Sequence, residues 1–340
     1  MGEAFNRVRI ETGEKITDVL PLLGGYGSVY VVYDAAVEAF AMPLCEALHP
    51  ASRLRLCGGE REKSLDRLER LWSWLMENEA GRDAFLLIVG GGATSDASAF
   101  AASVYKRGIG FAIIPTTLLA QVDAAIGGKN AINFGRVKNV LGVVRQPEFT
   151  FICPEPLATL PENEFLCGLA ELLKTQIISG KGYEETVSLC ARGGAVASKV
   201  AALEDRILEA ARFKAGIVEA DPYDNGGRRV LNLGHTFGHA VEAQAGIGHG
   251  EAVAIGIIMA ARLAEKLGLA AKGLSDRLAG DFAAVGLPVE SPVLPDSLKS
   301  CMLQDKKAAG GKIRFILPVG IGRVKEVDLT AGEAVNLLYL

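Results

Sequence analysis

Three of the four histidines in the chain, His235, His239 and His249, lie close together in the segment LNLGHTFGHAVEAQAGIGHGEAV. His235 and His239 are four residues apart, so they share one face of a helix, and His249 follows a glycine-rich turn that can fold back toward them. Glu171, in the segment GLAELLK, is a further candidate ligand, with Lys174 one turn later on the same face. Two imidazoles and one carboxylate leave a coordination position open for substrate, so the pattern predicts a catalytic divalent metal site.

A second group of residues suits a bound nucleotide. The apolar run 85–89 leads directly into GGGATSD and then into a helical pattern, an arrangement in which glycines and helix amides can cradle a pyrophosphate. Ser95 or Asp96 is expected to cap that helix. The G-x-G-x-x-G motif is absent, and three glycines alone fit a ligand-free turn equally well. Asp34, at the end of the run 28–33, is placed to accept hydrogen bonds from ribose hydroxyls, which favours NAD over NADP.

Fixed positive charges beside glycines form a third group, and together they suit a substrate that carries a phosphate and a carboxylate. Each one alone is more typical of a solvated surface cation. The group comprises Lys129, Lys138, Lys174, Lys214, Arg228, Lys306 and Lys307.

The composition places these residues in an ordinary globular protein. The 340 residues are enough for two domains, and 49% of them are hydrophobic and 22% charged. A formal net charge of −4 argues against a nucleic-acid binder. The sequence shows no signal peptide and no apolar run of the roughly 20 residues that a membrane span needs. The six cysteines lie far apart without a CxxC pair, which is typical of free thiols in a cytoplasmic protein.

The spacing of apolar residues predicts how the chemistry is positioned. Short β-rich runs at 28–33, 85–89 and 111–114 alternate with helical patterns at 64–76 and 96–106, which indicates a Rossmann-like α/β domain with a mostly parallel sheet. After about residue 155 the patterns become helical, so we expect an NAD-binding α/β domain at 1–155 and an all-α metal- and substrate-binding domain at 156–340. The expected helices are 162–179, 195–219, 236–245, 250–267 and 274–285, followed by a short β-like pair at 312–317 and 323–327.

Long stretches of the chain resemble the 3-dehydroquinate synthase family, from about residue 24 to 327. The motifs that carry the resemblance are GGEREKSL, GGGATSD, YKRG, PTTLLAQVDAAIGGKNAIN, KNVLG, TLPENEFLCGLAELLK, LNLGHTFGHAVEA, HGEAVAIG and DKK. The resemblance implies a dehydroquinate synthase-like fold, bound NAD and a zinc or cobalt ion. It also implies conversion of 3-deoxy-D-arabino-heptulosonate 7-phosphate to 3-dehydroquinate and phosphate. The implied steps are transient oxidation by NAD, phosphate elimination, re-reduction and intramolecular aldol closure.

The resemblance also assigns roles to residues of this sequence. The implied metal ligands are Glu171, His235 and His249. The implied NAD contacts are Asp34, Glu60, Lys63, Gly91, Gly92, Ala93, Asp96, Thr116, Thr117, Asp123, Lys138 and Asn139. The implied substrate contacts are Arg107, Asp123, Lys129, Asn139, Lys174, Lys214, Arg228, Asn232, His239 and one of Lys306 or Lys307. Arg107 matches a residue that reaches into the neighbouring subunit's site in the family, so a homodimer is implied.

Two alternatives and three departures from the family pattern accompany this interpretation. Deoxy-inosose and valiolone synthases share the chemistry but act on sugars without an acid group, and Lys129 and Asn232 are the residues associated with that acid. A metal-dependent alcohol or glycerol dehydrogenase of similar architecture would instead release NADH. The family commonly has glycine at Ser95 and Ala99 and threonine at Asn130, which leaves details of cofactor packing and substrate hydrogen bonding open.

Overall fold

The computed structural model describes residues 7–135, 137–305 and 311–339. The chain divides into two compact units: Met1–Pro161 with Ile207–Tyr223, and Glu162–Arg206 with Asp224–Leu340. The boundary expected from the sequence was residue 155. The first unit extends to Pro161 and also includes a segment from within the helical half.

Six strands of the first unit form one sheet with the order β1-β8-β5-β4-β2-β3, and every neighbouring pair is parallel. The remaining two strands, β6 and β7, form a separate antiparallel hairpin. The strands are β1 (Ile10–Thr12), β2 (Val29–Asp34), β3 (Ser52–Leu56), β4 (Phe85–Gly90), β5 (Gly110–Pro115), β6 (Lys129–Phe134), β7 (Val137–Val144) and β8 (Thr150–Ile152).

Helices cover both faces of the six-stranded sheet, because its central strands are almost continuously apolar and successive side chains point to opposite sides. Tyr30 and Val32 of β2 belong to one core cluster, and Val31 and Tyr33 belong to the other. The first cluster includes residues from α3 (Leu65–Glu77) and α4 (Gly92–Val104), and the second includes residues from α2 (Glu38–Leu48). A short helix, α1 (Leu20–Leu23), precedes β2.

The strand order creates a switch point between β2 and β4. These strands are neighbours in the sheet, and the chain leaves β2 toward a helix on one face and leaves β4 toward a helix on the other. In open α/β sheets, the crevice outside the carboxyl ends of strands at such a point is where ligands bind. Here those carboxyl ends are Asp34 and Gly90.

The second unit is helical apart from one antiparallel strand pair, β9 (Ile313–Gly320) and β10 (Arg323–Leu329). One long helix, α7 (Val196–Ala220), contains residues of both units. No helix among the described residues is long and apolar enough to cross a membrane. The other helices of this part are α5 (Glu162–Ser179), α6 (Tyr183–Ala191), α8 (His235–Ala245), α9 (His249–Lys266), α10 (Leu274–Ala284), α11 (Pro295–Asp305) and α12 (Ala331–Tyr339).

The fold class expected from the sequence is confirmed: a parallel sheet with helices is followed by a mainly helical part. The expected strands and the five expected helices of the second half agree with the structure to within a few residues. The expectation that Ser95 or Asp96 caps a helix was wrong. Helix α4 begins at Gly92, so both residues lie inside it, and its N-cap is Gly91.

Candidate active site

Very close helix packing brings the predicted metal ligands together in the second unit. Helix α9 carries Gly256 where a methyl group would lie 2.8 Å from Gly238 N and 2.9 Å from Gly234 C on the α8 side. The same helix carries Gly250 where a methyl group would lie 2.8 Å from Cys167 C of α5. Carbon atoms normally approach to about 3.5–4.0 Å, so only glycine allows α8, α9 and α5 to pack this closely.

Glu171, His235 and His249 converge from these three helices. Nε2 of His249 lies 3.3 Å from Oε1 of Glu171, and Nε2 of His235 lies 3.7 Å from the same oxygen. One ligand atom from each residue lies within 4.8 Å of the others. The Glu171 side chain is completely buried.

This geometry fits a divalent cation. Ligands bound tetrahedrally at about 2.0–2.1 Å lie roughly 3.3 Å from one another, which is close to the two measured distances from Glu171 to the imidazoles. Oε2 of the buried Glu171 carboxylate is paired with Nζ of Lys174, so Oε1, which faces both imidazoles, is the oxygen that would bind the cation. The donor set of two nitrogens and one oxygen is one that zinc and cobalt accept.

Each of the three candidate ligands makes a further contact on the side that faces away from the other two. Nδ1 of His235 lies 3.2 Å from Leu233 O, which can only accept, so Nδ1 carries the proton and Nε2 is left with its lone pair. Nδ1 of His249 lies 3.2 Å from Oε2 of Glu242. Lys174, which is almost completely buried, places Nζ 2.5 Å from Oε2 of Glu171 and leaves Oε1 toward the imidazoles.

The pKa values of these groups are strongly coupled. Burial alone would raise the pKa of Glu171, but the charge of Lys174 and the contact with His249 hold it well below its usual range. Burial, aided by the charge of Lys174, lowers the pKa of His235 to about 4. Burial opposes protonation of His249, but its contacts with Glu171 and Glu242 outweigh burial and raise its pKa to about 10. The carboxylate and His235 are therefore in their metal-binding forms at neutral pH, whereas His249 must release a proton to bind a metal.

His239 lies beside this cluster without joining it. Its ring centroid is 5.3 Å from that of His235 and 6.4 Å from that of His249, and the side chain is exposed. It is not among the residues whose ligand atoms converge. Asn232 is also exposed, whereas Arg228 is buried. Both belong to the short helical segment Gly227–Asn232 that precedes α8.

In the first unit, Asp34 is fixed at the switch point. Its Oδ1 accepts a hydrogen bond from Ala36 N at 3.0 Å, and its Oδ2 accepts one from Thr94 Oγ1 at 3.2 Å. A methyl group on Gly58, which has a φ of +78°, would overlap this carboxylate. The carboxyl ends of β2, β3 and β4 therefore meet around one acidic side chain.

The glycine turn after β4 packs closely against the segment that follows β5. A methyl group on Gly91 would lie 3.1 Å from Thr117 Cγ2, and one on Gly92 would lie 3.1 Å from Ala124 Cβ. The N-cap of α4 is Gly91, which has no side chain to cap the helix. Ala93 follows in the first turn, and Thr116 is buried at the end of β5. Such a helix start is suited to an anion.

A buried ion pair lies next to this turn. Nζ of Lys63 donates to Oδ2 of Asp96 at 2.6 Å, and both side chains are largely buried. Burial raises the pKa of Asp96 to about 6, although the charge and hydrogen bond of Lys63 act in the opposite direction. The structure therefore brings together two residues that were expected to contact NAD.

Lys214 of α7 belongs to the same unit and is buried. Its Nζ donates to the backbone oxygen of Asp123 at 2.6 Å and to Oδ1 of Asp123 at 2.8 Å. Lys214 is also near enough to Asp96 to lower its pKa. Three charged candidates expected at substrate and cofactor thus form one connected group.

The β6–β7 hairpin carries three further candidates, Lys129, Lys138 and Asn139, and also Asn130, one of the departures from the family pattern. Lys129, Lys138 and Asn139 are exposed, and Asn139 has a left-handed backbone with a φ of +53°. Asn130 is buried and donates from Nδ2 to Arg145 O at 2.8 Å, so it supports the hairpin. The departure Ser95 has a buried hydroxyl that lacks a partner among the described residues, and Ala99 is buried in the core.

The remaining candidates are Arg107, Lys306 and Lys307. Arg107 is exposed after α4, where Lys106, Arg107 and Gly108 all have positive φ angles of 48°, 71° and 109°. Consecutive left-handed residues are costly and mark a site under constraint. Lys306 and Lys307 lie outside the described residues.

Sequence reasoning missed three residues that hold the candidates in place: Asn133, Thr94 and Glu242. Nδ2 of Asn133 donates to Oε1 of Glu60 at 2.7 Å, and its Oδ1 accepts from Asn139 N at 2.9 Å. A signal existed for Glu242, which follows His235 by seven residues and so shares its helix face. Asn133 contacts Glu60 and Thr94 contacts Asp34, and both pairs are far apart in sequence. No local sequence pattern predicts such contacts.

Both halves of the chain match protein-family models. Residues 53–167 match the family model described as 3-dehydroquinate synthase N-terminal, and residues 168–308 match the model described as 3-dehydroquinate synthase C-terminal. A curated 3-dehydroquinate synthase of Acidithiobacillus ferrooxidans is 41% identical over 306 residues, which cover 87% of this chain and 84% of that protein. The chain belongs to the 3-dehydroquinate synthase family. A second member of the family, from Shewanella loihica, is 39% identical over 86% of this chain and 82% of its own length.

Solved structures extend the likeness to related cyclases. The 2-epi-5-epi-valiolone synthase of Streptomyces hygroscopicus subsp. jinggangensis, with NAD+ and Zn2+ bound, has a TM-score of 0.85 and 26% identity. That comparison covers 97% of this chain and 95% of the other. A 2-deoxy-scyllo-inosose synthase has a TM-score of 0.85 and 24% identity over the same shares, which shows the common fold. The fold shared with these synthases thus extends over both units of this chain.

Proposed function

We propose that this protein is a 3-dehydroquinate synthase, which converts 3-deoxy-D-arabino-heptulosonate 7-phosphate to 3-dehydroquinate and phosphate in the shikimate pathway. The observation that carries the proposal is identity of 39–41% to two 3-dehydroquinate synthases over more than four fifths of each chain. The convergence of Glu171, His235 and His249 supports it independently, because the reaction needs a divalent cation.

The proposal assigns each cofactor to a set of residues. Glu171, His235 and His249 would hold zinc or cobalt, and the switch point around Asp34 and the start of α4 would hold NAD. When bound, the cation supplies Lewis acidity toward substrate hydroxyls, and NAD accepts and returns a hydride. The valiolone synthase with NAD+ and Zn2+ bound supports this pairing. The remaining proposed NAD contacts are Glu60, Lys63, Gly91, Gly92, Ala93, Asp96, Thr116, Thr117, Asp123, Lys138 and Asn139.

Charged and polar side chains of this chain would position an anionic substrate. Lys174 holds Oε2 of Glu171, so Oε1 is the oxygen presented to the cation. Lys214 fixes the side chain of Asp123 through two hydrogen bonds. His239, next to the ligands but not one of them, is placed to orient a substrate hydroxyl. The other proposed substrate contacts are Arg107, Lys129, Asn139, Arg228, Asn232 and Lys307.

We assign the working protein to the cytoplasm as a homodimer, with the β6–β7 hairpin as part of the subunit interface. All six cysteines are free, as in a reducing compartment. Strand β7 has one sheet neighbour among the described strands, and apolar side chains are exposed on both of its faces. A long apolar edge strand aggregates unless it is covered, and a second copy of β7 can pair with it about a two-fold axis. The exposed apolar side chains of the hairpin are Phe134 of β6 and Val137, Val140, Leu141 and Val144 of β7.

Sedimentation tests the dimer. The wild type should sediment as a dimer, and Val140→Lys should shift it toward monomer because the substitution puts a charge on the covered strand. Met76→Lys is the matched control, since Met76 is also an exposed apolar residue but lies on α3. A monomeric wild type, or an unchanged dimer in Val140→Lys, would contradict this assignment.

A direct assay tests the activity. The protein is incubated with the seven-carbon sugar phosphate acid, NAD and zinc, and phosphate and dehydroquinate are both quantified. A chelator should abolish turnover, and zinc or cobalt should restore it. Glucose 6-phosphate and sedoheptulose 7-phosphate, which lack the acid group, serve as substrates for the alternative cyclases. Turnover of either sugar in preference to the acid would overturn the proposal.

A further inference from the structure

The two imidazoles of the metal centre differ in what holds them. His235 is oriented by a backbone carbonyl, Leu233 O, at 3.2 Å. His249 is oriented by a side chain, the carboxylate of Glu242, also at 3.2 Å. A carbonyl cannot be removed by substitution, whereas the partner of His249 can be tested.

We propose that Glu242 is a positioning residue for the metal centre: it holds His249 with Nδ1 protonated and Nε2 directed at the ion. The inference rests on the proposed function, because it requires that Glu171, His235 and His249 bind a metal. A carboxylate that accepts from a ligand imidazole fixes its tautomer and ring orientation and makes the other nitrogen a better donor.

The path of the chain explains why Glu242 reaches this position. Glu242 lies two helical turns after His235 on α8, and its backbone oxygen accepts from Gly246 N at 2.9 Å. Gly246 has a left-handed backbone with a φ of +65°, which ends α8 and turns the chain back. His249 is the first residue of α9, so the helix–turn–helix places its ring against Glu242.

Glu242 is not itself a ligand in this arrangement. It contacts Nδ1 of His249, and Nε2 on the opposite edge of the ring is the atom that faces Glu171. Its carboxylate is not part of the converging set Glu171, His235 and His249. Its effect on the ion must therefore pass through the imidazole.

Metal affinity is the first test, measured for zinc by competition with a chromophoric chelator. Loss of an outer carboxylate typically weakens metal binding about 10–100-fold, so we expect that loss for Glu242→Ala. Glu242→Gln keeps an acceptor oxygen without the charge, so it should recover part of the affinity. Glu251→Gln is the matched control: it removes a carboxylate from the start of α9, keeps an acceptor for Gly248 N, and should change affinity by no more than about twofold.

The second test reads the imidazole itself. The chain has only four histidines, so 15N-histidine labelling of the zinc-loaded protein gives few signals. The Nδ1–H signal of His249 should be protected from solvent exchange in the wild type and lost in Glu242→Ala. The Nδ1–H signal of His235 should persist in both, as an internal control for folding.

The outcomes separate this inference from the proposed function. A wild type that binds no zinc would overturn both. A wild type that binds zinc, with Glu242→Ala equal to it in affinity and in the His249 signal, would overturn the role of Glu242 alone. A loss of affinity in Glu251→Gln as large as that in Glu242→Ala would also overturn it, since any loosening of α9 would then suffice.

Discussion

Substituting Gly256 with alanine perturbs the metal centre without touching a ligand. The new methyl group would lie 2.9 Å from Gly234 C and nearer still to Gly234 O, and these are backbone atoms that cannot rotate away. Carbon atoms pack at about 3.5–4.0 Å, so α8 and α9 must separate by more than about half an ångström. Gly234 directly precedes His235, so that displacement moves a ligand.

The stability of Gly256→Ala depends on two opposing effects, helix propensity and overpacking. Alanine in a helix gains about 1 kcal/mol over glycine, and overpacking costs about 1–3 kcal/mol. The net loss of unfolding free energy should therefore be no more than about 2 kcal/mol. Metal sites tolerate ligand displacements of only about 0.2 Å, so zinc affinity and kcat/KM should fall more steeply, by roughly 10–100-fold.

The assay combines zinc competition with urea unfolding of the metal-free protein. Gly280→Ala is the control, because Gly280 lies within α10 with open space around its missing side chain. That variant should be more stable than the wild type by up to about 1 kcal/mol and should bind zinc normally. If Gly256→Ala binds zinc as tightly as Gly280→Ala, close approach of α8 and α9 does not set the ligand spacing, and the reasoning is refuted.

Three further predictions concern the remaining candidates. Asp34→Asn should weaken NAD binding about 10–100-fold in calorimetry, since a charged acceptor contributes about 1.5–3 kcal/mol; unchanged affinity would place the ribose elsewhere. Lys129→Ala should weaken the acid substrate by a similar factor and a carboxylate-free analogue far less, and equal losses would assign Lys129 to another role. The Asp96 carboxyl should titrate near 6 by 13C NMR, against 3.8 for an ordinary aspartate. Because its pKa is raised on folding, its stabilising contribution is lost as pH rises from about 4 to 6. Asp96→Asn should lack that pH dependence, and an ordinary titration midpoint would contradict the burial argument.

Local pattern was enough to predict the elements that carry the site. The helix expected at 162–179 is α5 residue for residue, and the start of α9 lies within one residue of the expected one. Strong apolar periodicity defines such helices independently of their neighbours. The start of α4 was expected too late, because glycines are poor helix formers and their presence hid its first turn.

Contacts between distant segments could not be predicted in this way. Apolar spacing shows that α7 has a buried face but not which unit covers it, and Ile207–Tyr223 belongs to the first unit. The roles of Asn133 and Glu242 depend on turns that bring separate elements together. The ligand set itself came from resemblance to the family, and its convergence appears only once α5, α8 and α9 are packed.

Turnover with a trace of NAD tests the central claim most directly. The protein is given the sugar phosphate acid, zinc and far less NAD than substrate, while phosphate release and NADH absorbance are followed together. A 3-dehydroquinate synthase returns the hydride within each cycle, so phosphate should rise far past the NAD present while absorbance stays flat. Absorbance that rises in step with product and stops when NAD is exhausted would contradict the synthase assignment and indicate a dehydrogenase.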